Sequence, residues 1–112
     1  MIRDPIDVWL ASAADQFGTP SFVYFADRIE QRIAELNAAF GNRFALSFAV
    51  KSNPNAALLR WLEPRVPFLD ISSIGEMRLA LAAGWDTARL GFTGPAKRAF
   101  ELAAGLALGV GE

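Results

Sequence analysis

The sequence predicts an α/β fold built on a parallel sheet, and three observations carry that prediction. Short apolar, β-branched or aromatic runs at 21–25, 44–50, 67–71 and 89–93 alternate with segments whose apolar residues recur at helical spacing. The run at 44–50, FALSFAV, is apolar at six of its seven positions, as strands are when both faces of a sheet are covered. Glycines and prolines fall singly at the ends of these segments, with no linker, low-complexity tract or internal repeat. Strands separated by helices are joined by crossovers, so the sheet is parallel and the chain reads as one continuous piece.

Each element has its own local cause. Asp4-Pro5 pairs a capping residue with one preset for a first helical turn; Ile6, Trp9, Leu10, Ala13 and Phe17 follow at helical spacing until Gly18 ends this lead-in helix. After Thr19-Pro20, residues 21–25 read as a short strand. Asp27 and Glu30 have capping-box spacing for a helix lined by Ile29, Ile33, Leu36 and Phe40 and stopped by Gly41-Asn42. The strand at 44–50 runs into Lys51. Asn53 then caps a helix with Pro54 at its first position, and Leu58, Leu59 and Leu62 form its apolar face before Pro64. Residues 67–71 make a third strand, and Ser72-Ser73 leads into a helix through Leu81 with Gly84 as its C-terminal cap. Residues 89–93 are a fourth strand, and Gly94-Pro95 opens a last helix. Trp9 and Trp61 are expected in the core rather than on a stacking platform.

Composition excludes several chemistries. The 112 residues carry 12 acidic and 11 basic side chains, interspersed, for a net charge of −1, which leaves no basic face for nucleic acid. There is no cysteine for a disulfide or thiolate site and no histidine, the commonest metal ligand and usual catalytic base, so no metal is expected. Chemistry must come from Lys, Asp, Glu, Ser or the backbone. The first residues, MIRDPIDVWL, lack the apolar run of a signal peptide, and no stretch approaches the roughly 20 apolar residues of a membrane span. The expected location is the cytoplasm, with no membrane partner.

Lys51 is the residue that asks for an explanation. A charged ammonium at the end of a buried strand is costly, so the side chain either reaches an open mouth or is held there for chemistry. Desolvation there favours the neutral amine, which is the nucleophile a carbonyl needs; the plainer alternative is a lysine that snorkels into solvent. Asp70 lies 19 residues on, near the end of the next strand, where it either holds an amine by a charge-assisted hydrogen bond or tethers the following turn. Glu76 stands in S-x-x-E spacing after Ser73, so capping its own helix competes with any site role. Asn53 and Asn55 have supporting roles at the loop beside Lys51, and Lys97 is read as a surface residue.

The ordered motifs FAVKSNPN, FLDISSIGEMRLALAAG and GFTGPAK resemble the N-terminal part of the fold-type III pyridoxal-phosphate decarboxylases, the group of diaminopimelate, ornithine and arginine decarboxylases. The upstream FGTPSFVYFADRI is similar to the segment with which diaminopimelate-decarboxylase-like members enter their barrel. The resemblance runs from about Phe17 to the end and implies a partial (β/α)8 barrel of the TIM type, alanine-racemase-like, that binds pyridoxal 5'-phosphate. It implies that Lys51 carries the cofactor as a Schiff base, that Asp70 is catalytic beside it, and that Glu76 belongs to the cofactor-binding group.

The implied reaction is decarboxylation of an amino acid, a small-molecule substrate, by a protein that forms a homodimer at full length. With 112 residues against the ~250 of a complete barrel, residues 1–112 are expected to be the N-terminal portion of the barrel domain, without its C-terminal β domain. The family's phosphate loop, ring-stacking histidine and acidic partner of the pyridine nitrogen lie beyond this stretch. The chain alone is therefore expected to be inactive, with uncovered sheet edges. A fold-type III racemase and a non-catalytic PLP-carrying homeostasis or regulatory protein are the alternatives, and NPN and DISSIGE favour the decarboxylase branch.

Overall fold

In the computed structural model, which describes residues 5–93 and 99–111, helices and parallel strands alternate along the chain. Contacts divide the chain into two units, residues 1–32 and 33–112. The first holds helix α1 (Pro5–Phe17) and the start of helix α2 (Ala26–Ala39). Pro5 occupies the first turn, where its missing N–H costs nothing. Gly18, at φ +82°, turns the chain out of α1 while its N–H still reaches the Ala14 carbonyl at 2.9 Å.

Two expectations fail in this unit. Residues 21–25 form no strand, because a strand exists only through a ladder and no described residue pairs with this segment. Asp27 does not cap α2. The helix starts one residue earlier, with the Phe25 carbonyl accepting from both Arg28 and Ile29, and Asp27 lies within the first turn, where its charge complements the helix dipole.

In the second unit, α2 stops at Gly41 and Asn42, both left-handed at φ 60° and 56°, as the sequence requires. Strand β1 (Ser47–Ala49) is three residues long, not the seven expected. Its ladder with β2 (Phe68–Ile71) runs only from Ser47↔Phe68 to Ala49↔Asp70, after which Val50–Ser52 coil into a 3-10 turn. Helix α3 (Ala56–Leu62) begins two residues later than expected. Its cap is Asn55, whose side-chain oxygen accepts from Ala57 N at 2.9 Å and Leu58 N at 3.2 Å, whereas Asn53 Oδ1 accepts only from Asn55 N at 3.3 Å.

Strand β3 (Leu90–Phe92) completes a parallel sheet ordered β1-β2-β3, with Leu69↔Leu90 and Asp70↔Gly91 in register. The two faces of this sheet differ. Leu69, Ile71 and Leu90 point to a side closed by helices and are 0–1% exposed, as are Leu59 of α3 and Met77 and Ala80 of helix α4 (Ile74–Ala82). Each large apolar side chain so buried contributes roughly 1.5–3 kcal/mol. Helix α5 (Ala99–Leu108) lies on the same side, its Gly105 against the Phe92 ring. Residues alternate across a strand, so Ser47, Ala49, Phe68, Asp70 and Gly91 look the other way, where Ser47 and Phe68 are exposed among the described residues.

One aromatic residue closes the core. Helix α4 ends in a paired turn, with Gly84 N donating to Leu81 and Trp85 N to Ala80, both at 3.1 Å, around Gly84 at φ +95°. This geometry delivers Trp85 inward, 3% exposed, where its indole N–H donates to the Leu59 carbonyl at 2.9 Å. Trp9 and Trp61 do not take the core places expected for them. Trp9 is exposed, and Trp61 is half-buried under the Arg65 guanidinium, 4.0 Å from the ring centre. The expected helix opening at Gly94-Pro95, with Lys97, lies outside the described residues.

Candidate functional site

The C-terminal ends of β1 and β2 bring two of the three candidate residues to one rim. Asp70 pairs opposite Ala49, and Lys51 follows Ala49 by two residues in the 3-10 turn. Neighbouring strands lie about 4.8 Å apart, so both side chains spring from the same edge of the sheet. That edge, beyond the strand C-termini, is where α/β proteins assemble their sites.

Lys51 is exposed, and no described residue offers its amine a hydrogen bond or ion pair. The burial expected for it is not supplied by the described residues. The strand ends before Val50, and it is Val50, fully buried, that anchors the turn while Lys51 projects outward. Ser52 fixes the turn through its hydroxyl, which donates to the Ala49 carbonyl at 2.7 Å.

Asp70 is half-buried, and one of its carboxylate oxygens accepts a hydrogen bond from the Thr93 hydroxyl at the end of β3. Thr93 is itself held by its backbone N–H, which donates to Ile71 at 2.9 Å. Sequence reasoning passed over Thr93 as a strand end. The signal that would have found it is register, because the residue two beyond the Asp70 partner Gly91 stands beside that carboxylate.

Glu76 is held apart from the other two. Its Oε2 accepts from the Ser72 backbone N–H at 2.7 Å and from the Ser72 hydroxyl at 3.0 Å, while Ser73 Oγ accepts from Glu76 N at 3.1 Å. The S-x-x-E pair thus caps α4, although the glutamate serves the residue before the cap rather than the cap itself. Among the described residues, no two of Lys51, Asp70 and Glu76 bond to one another.

Below the rim, the open face of the sheet forms a concavity of about 560 Å³ lined by Ser47, Ala49, Phe68, Asp70, Gly91 and Thr93. A primary amine without a partner among the described residues and a carboxylate on the neighbouring strand are the groups that could receive a carbonyl-bearing cofactor. Among the described residues there is no group of three or more His, Cys, Asp or Glu side chains placed to hold a metal ion, and no helix long and apolar enough to cross a membrane.

Known proteins resemble this chain in sequence and in fold. Residues 26–112 match the family model described as pyridoxal-dependent decarboxylase, pyridoxal binding domain. The diaminopimelate decarboxylase of Haemophilus influenzae is 38% identical over 97 residues, 86% of this chain and 23% of that protein. The crystal structure of lysine/ornithine decarboxylase from Vibrio vulnificus, complexed with cadaverine, superposes with a TM-score of 0.84 at 28% identity, covering 96% of this chain and 30% of the other. That of a diaminopimelate decarboxylase mutant from Helicobacter pylori, complexed with L-lysine, gives 0.73 at 34% identity over 87% and 26% of the two chains. These neighbours have the TIM-barrel fold, and the parallel strands and helices of this chain are a part of it. The chain spans about a quarter of the length of the curated relatives it matches. With the family model matched over more than half of its residues, the chain belongs to the pyridoxal-dependent decarboxylases, in their pyridoxal-binding domain.

Proposed function

We propose that this chain is the N-terminal portion of the barrel of a PLP-dependent amino-acid decarboxylase of the diaminopimelate type, and that Lys51 is its cofactor-bearing lysine. The observation that carries the reading is the juxtaposition at the rim: an exposed amine without a partner among the described residues, one strand away from the half-buried Asp70. When bound, pyridoxal 5'-phosphate supplies an electron sink for the electron pair left on a substrate carbon as carbon dioxide departs.

The side chains divide the remaining work. The neutral amine of Lys51 is the nucleophile for the cofactor aldehyde. Asp70, a hydrogen-bond acceptor when ionised, orients the amine of the incoming amino acid at the rim. The Glu76 carboxylate holds Ser72 at the end of β2, and so contributes to the cofactor pocket by fixing the loop that follows Asp70. The substrate is an amino acid, a small molecule, the full-length protein a homodimer, and the compartment the cytoplasm.

The test uses the scarcity of lysine. The sequence has two, Lys51 and Lys97, so incubation with pyridoxal 5'-phosphate, borohydride reduction and peptide mapping reads the assignment directly. In the whole protein, preferential label on Lys51 is expected. Label at other amines with Lys51 unmodified overturns the reading. Release of carbon dioxide from diaminopimelate by the whole protein tests the reaction itself.

A further inference from the structure

We infer that Thr93 is a positioning residue: its hydroxyl holds the Asp70 carboxylate toward β3 and so withholds it from Lys51, leaving the lysine amine free to react. The inference rests on the cofactor reading of Lys51 and deepens it. Three observations carry it. Thr93 is the sole described donor to the Asp70 carboxylate. Asp70 stands on the central strand between Ala49 and Gly91, so no bulky side chain on either neighbour fixes its orientation. Lys51, on a four-carbon stem rooted two residues beyond Ala49, is nevertheless unpaired among the described residues.

The physical consequence follows from charge. A lysine paired with a carboxylate is held as the ammonium, which has no lone pair for a carbonyl carbon. A carboxylate already accepting from a hydroxyl on its far side is turned away from that pairing. Thr93 is well built for the task, because its own backbone N–H is anchored to Ile71 at 2.9 Å and the ladder fixes the strand beneath it.

The test follows the rate of borohydride-trapped pyridoxal 5'-phosphate labelling at Lys51 in the whole protein, with Lys97 as internal control. Thr93→Val is expected to slow Lys51 labelling about threefold to tenfold, the worth of one hydrogen bond, and to leave Lys97 unchanged. Thr93→Ser restores the original rate. In an Asp70→Asn background, Thr93→Val has no further effect. Unchanged labelling in Thr93→Val, or an equal slowing in the Asp70→Asn background, overturns the inference. NMR three-bond couplings of Asp70 give a readout independent of the cofactor: one side-chain rotamer in the original chain and in Thr93→Ser, averaging in Thr93→Val. If Lys51 takes no label even in the original chain, the cofactor reading has failed, and these couplings still decide whether Thr93 positions Asp70; averaging already present in the original chain overturns the inference.

Discussion

Arg89 and Glu63 form an ion pair at 2.6 Å that ties the start of β3 to the end of α3 across 26 residues of chain. Both side chains are about a third exposed, at 29% and 35%, so the charge attraction itself contributes little. The same guanidinium donates to the carbonyls of Pro67 at 2.8 Å, Glu63 at 2.6 Å and Val66 at 2.7 Å, and lies 4.3 Å from the centre of the Trp85 ring. Those carbonyls belong to the turn that leads into β2.

Arg89→Ala is therefore expected to cost about 2–3 kcal/mol, because it removes charge-assisted hydrogen bonds to the carbonyls of that turn. Glu63→Gln, which keeps an acceptor at the same place, is expected to cost under about 1 kcal/mol. Urea midpoints of the two variants check the difference. Equal losses would mean that the ion pair, not the carbonyl contacts, fixes the turn.

The two asparagines after Lys51 separate in the same way. Asn55→Ala removes the acceptor for Ala57 N and Leu58 N and is expected to cost ~1 kcal/mol, whereas Asn53→Ala removes one longer contact and is expected to cost less than half as much. Thermal melts of both variants decide between them, and a larger loss from Asn53→Ala would contradict the observed cap.

Lys51→Ala is expected to change stability by no more than about 0.5 kcal/mol, since its amine is exposed and has no described partner. Pyridoxal 5'-phosphate labelling at position 51 disappears while that at Lys97 persists. A large stability loss would show that the lysine has a structural partner.

Gly111 tests the return of the chain after α5. A Cβ there would stand 2.4 Å from the Ala88 carbonyl oxygen, while the Gly111 N–H donates to Leu90 at 3.0 Å and Thr87 at 3.2 Å. Gly111→Ala is expected to displace this segment and to speed amide exchange at position 111 about tenfold or more, with little change in the core. Unaltered exchange would mean that the neighbouring backbone yields.

The alternation of apolar runs and helical periods made the order of elements legible, and the glycine and proline punctuation located most helix ends. The Gly84 cap and the Ser73 start of α4 both follow from local chemistry that a few residues carry entirely. What escaped depends on partners remote in sequence. The length of β1 is set by where β2 ends, which FALSFAV cannot disclose, and residues 21–25 have strand-like composition without a ladder partner. Asn53-Pro54-Asn55 offers two caps of equal propensity, and the 3-10 turn at 50–52 shifts the helix start to the second. At the site, Lys51 and Asp70 were readable as residue types at strand ends. Thr93 was not, because its role comes from register across two strands.

Strand β2 alternates two kinds of residue, Leu69 and Ile71 turned to the helices, Phe68 and Asp70 to the open side. Saturation mutagenesis across these four positions would thus produce two interleaved tolerance profiles. Polar replacements at 69 and 71 would cost abundance in the cell, whereas replacements at 70, at the C-terminal rim, would register in a ligand-dependent screen. A single short segment is in this way subject to two independent selections, one for solubility and one for chemistry, and neighbouring residues can drift under different rules although only one peptide bond separates them.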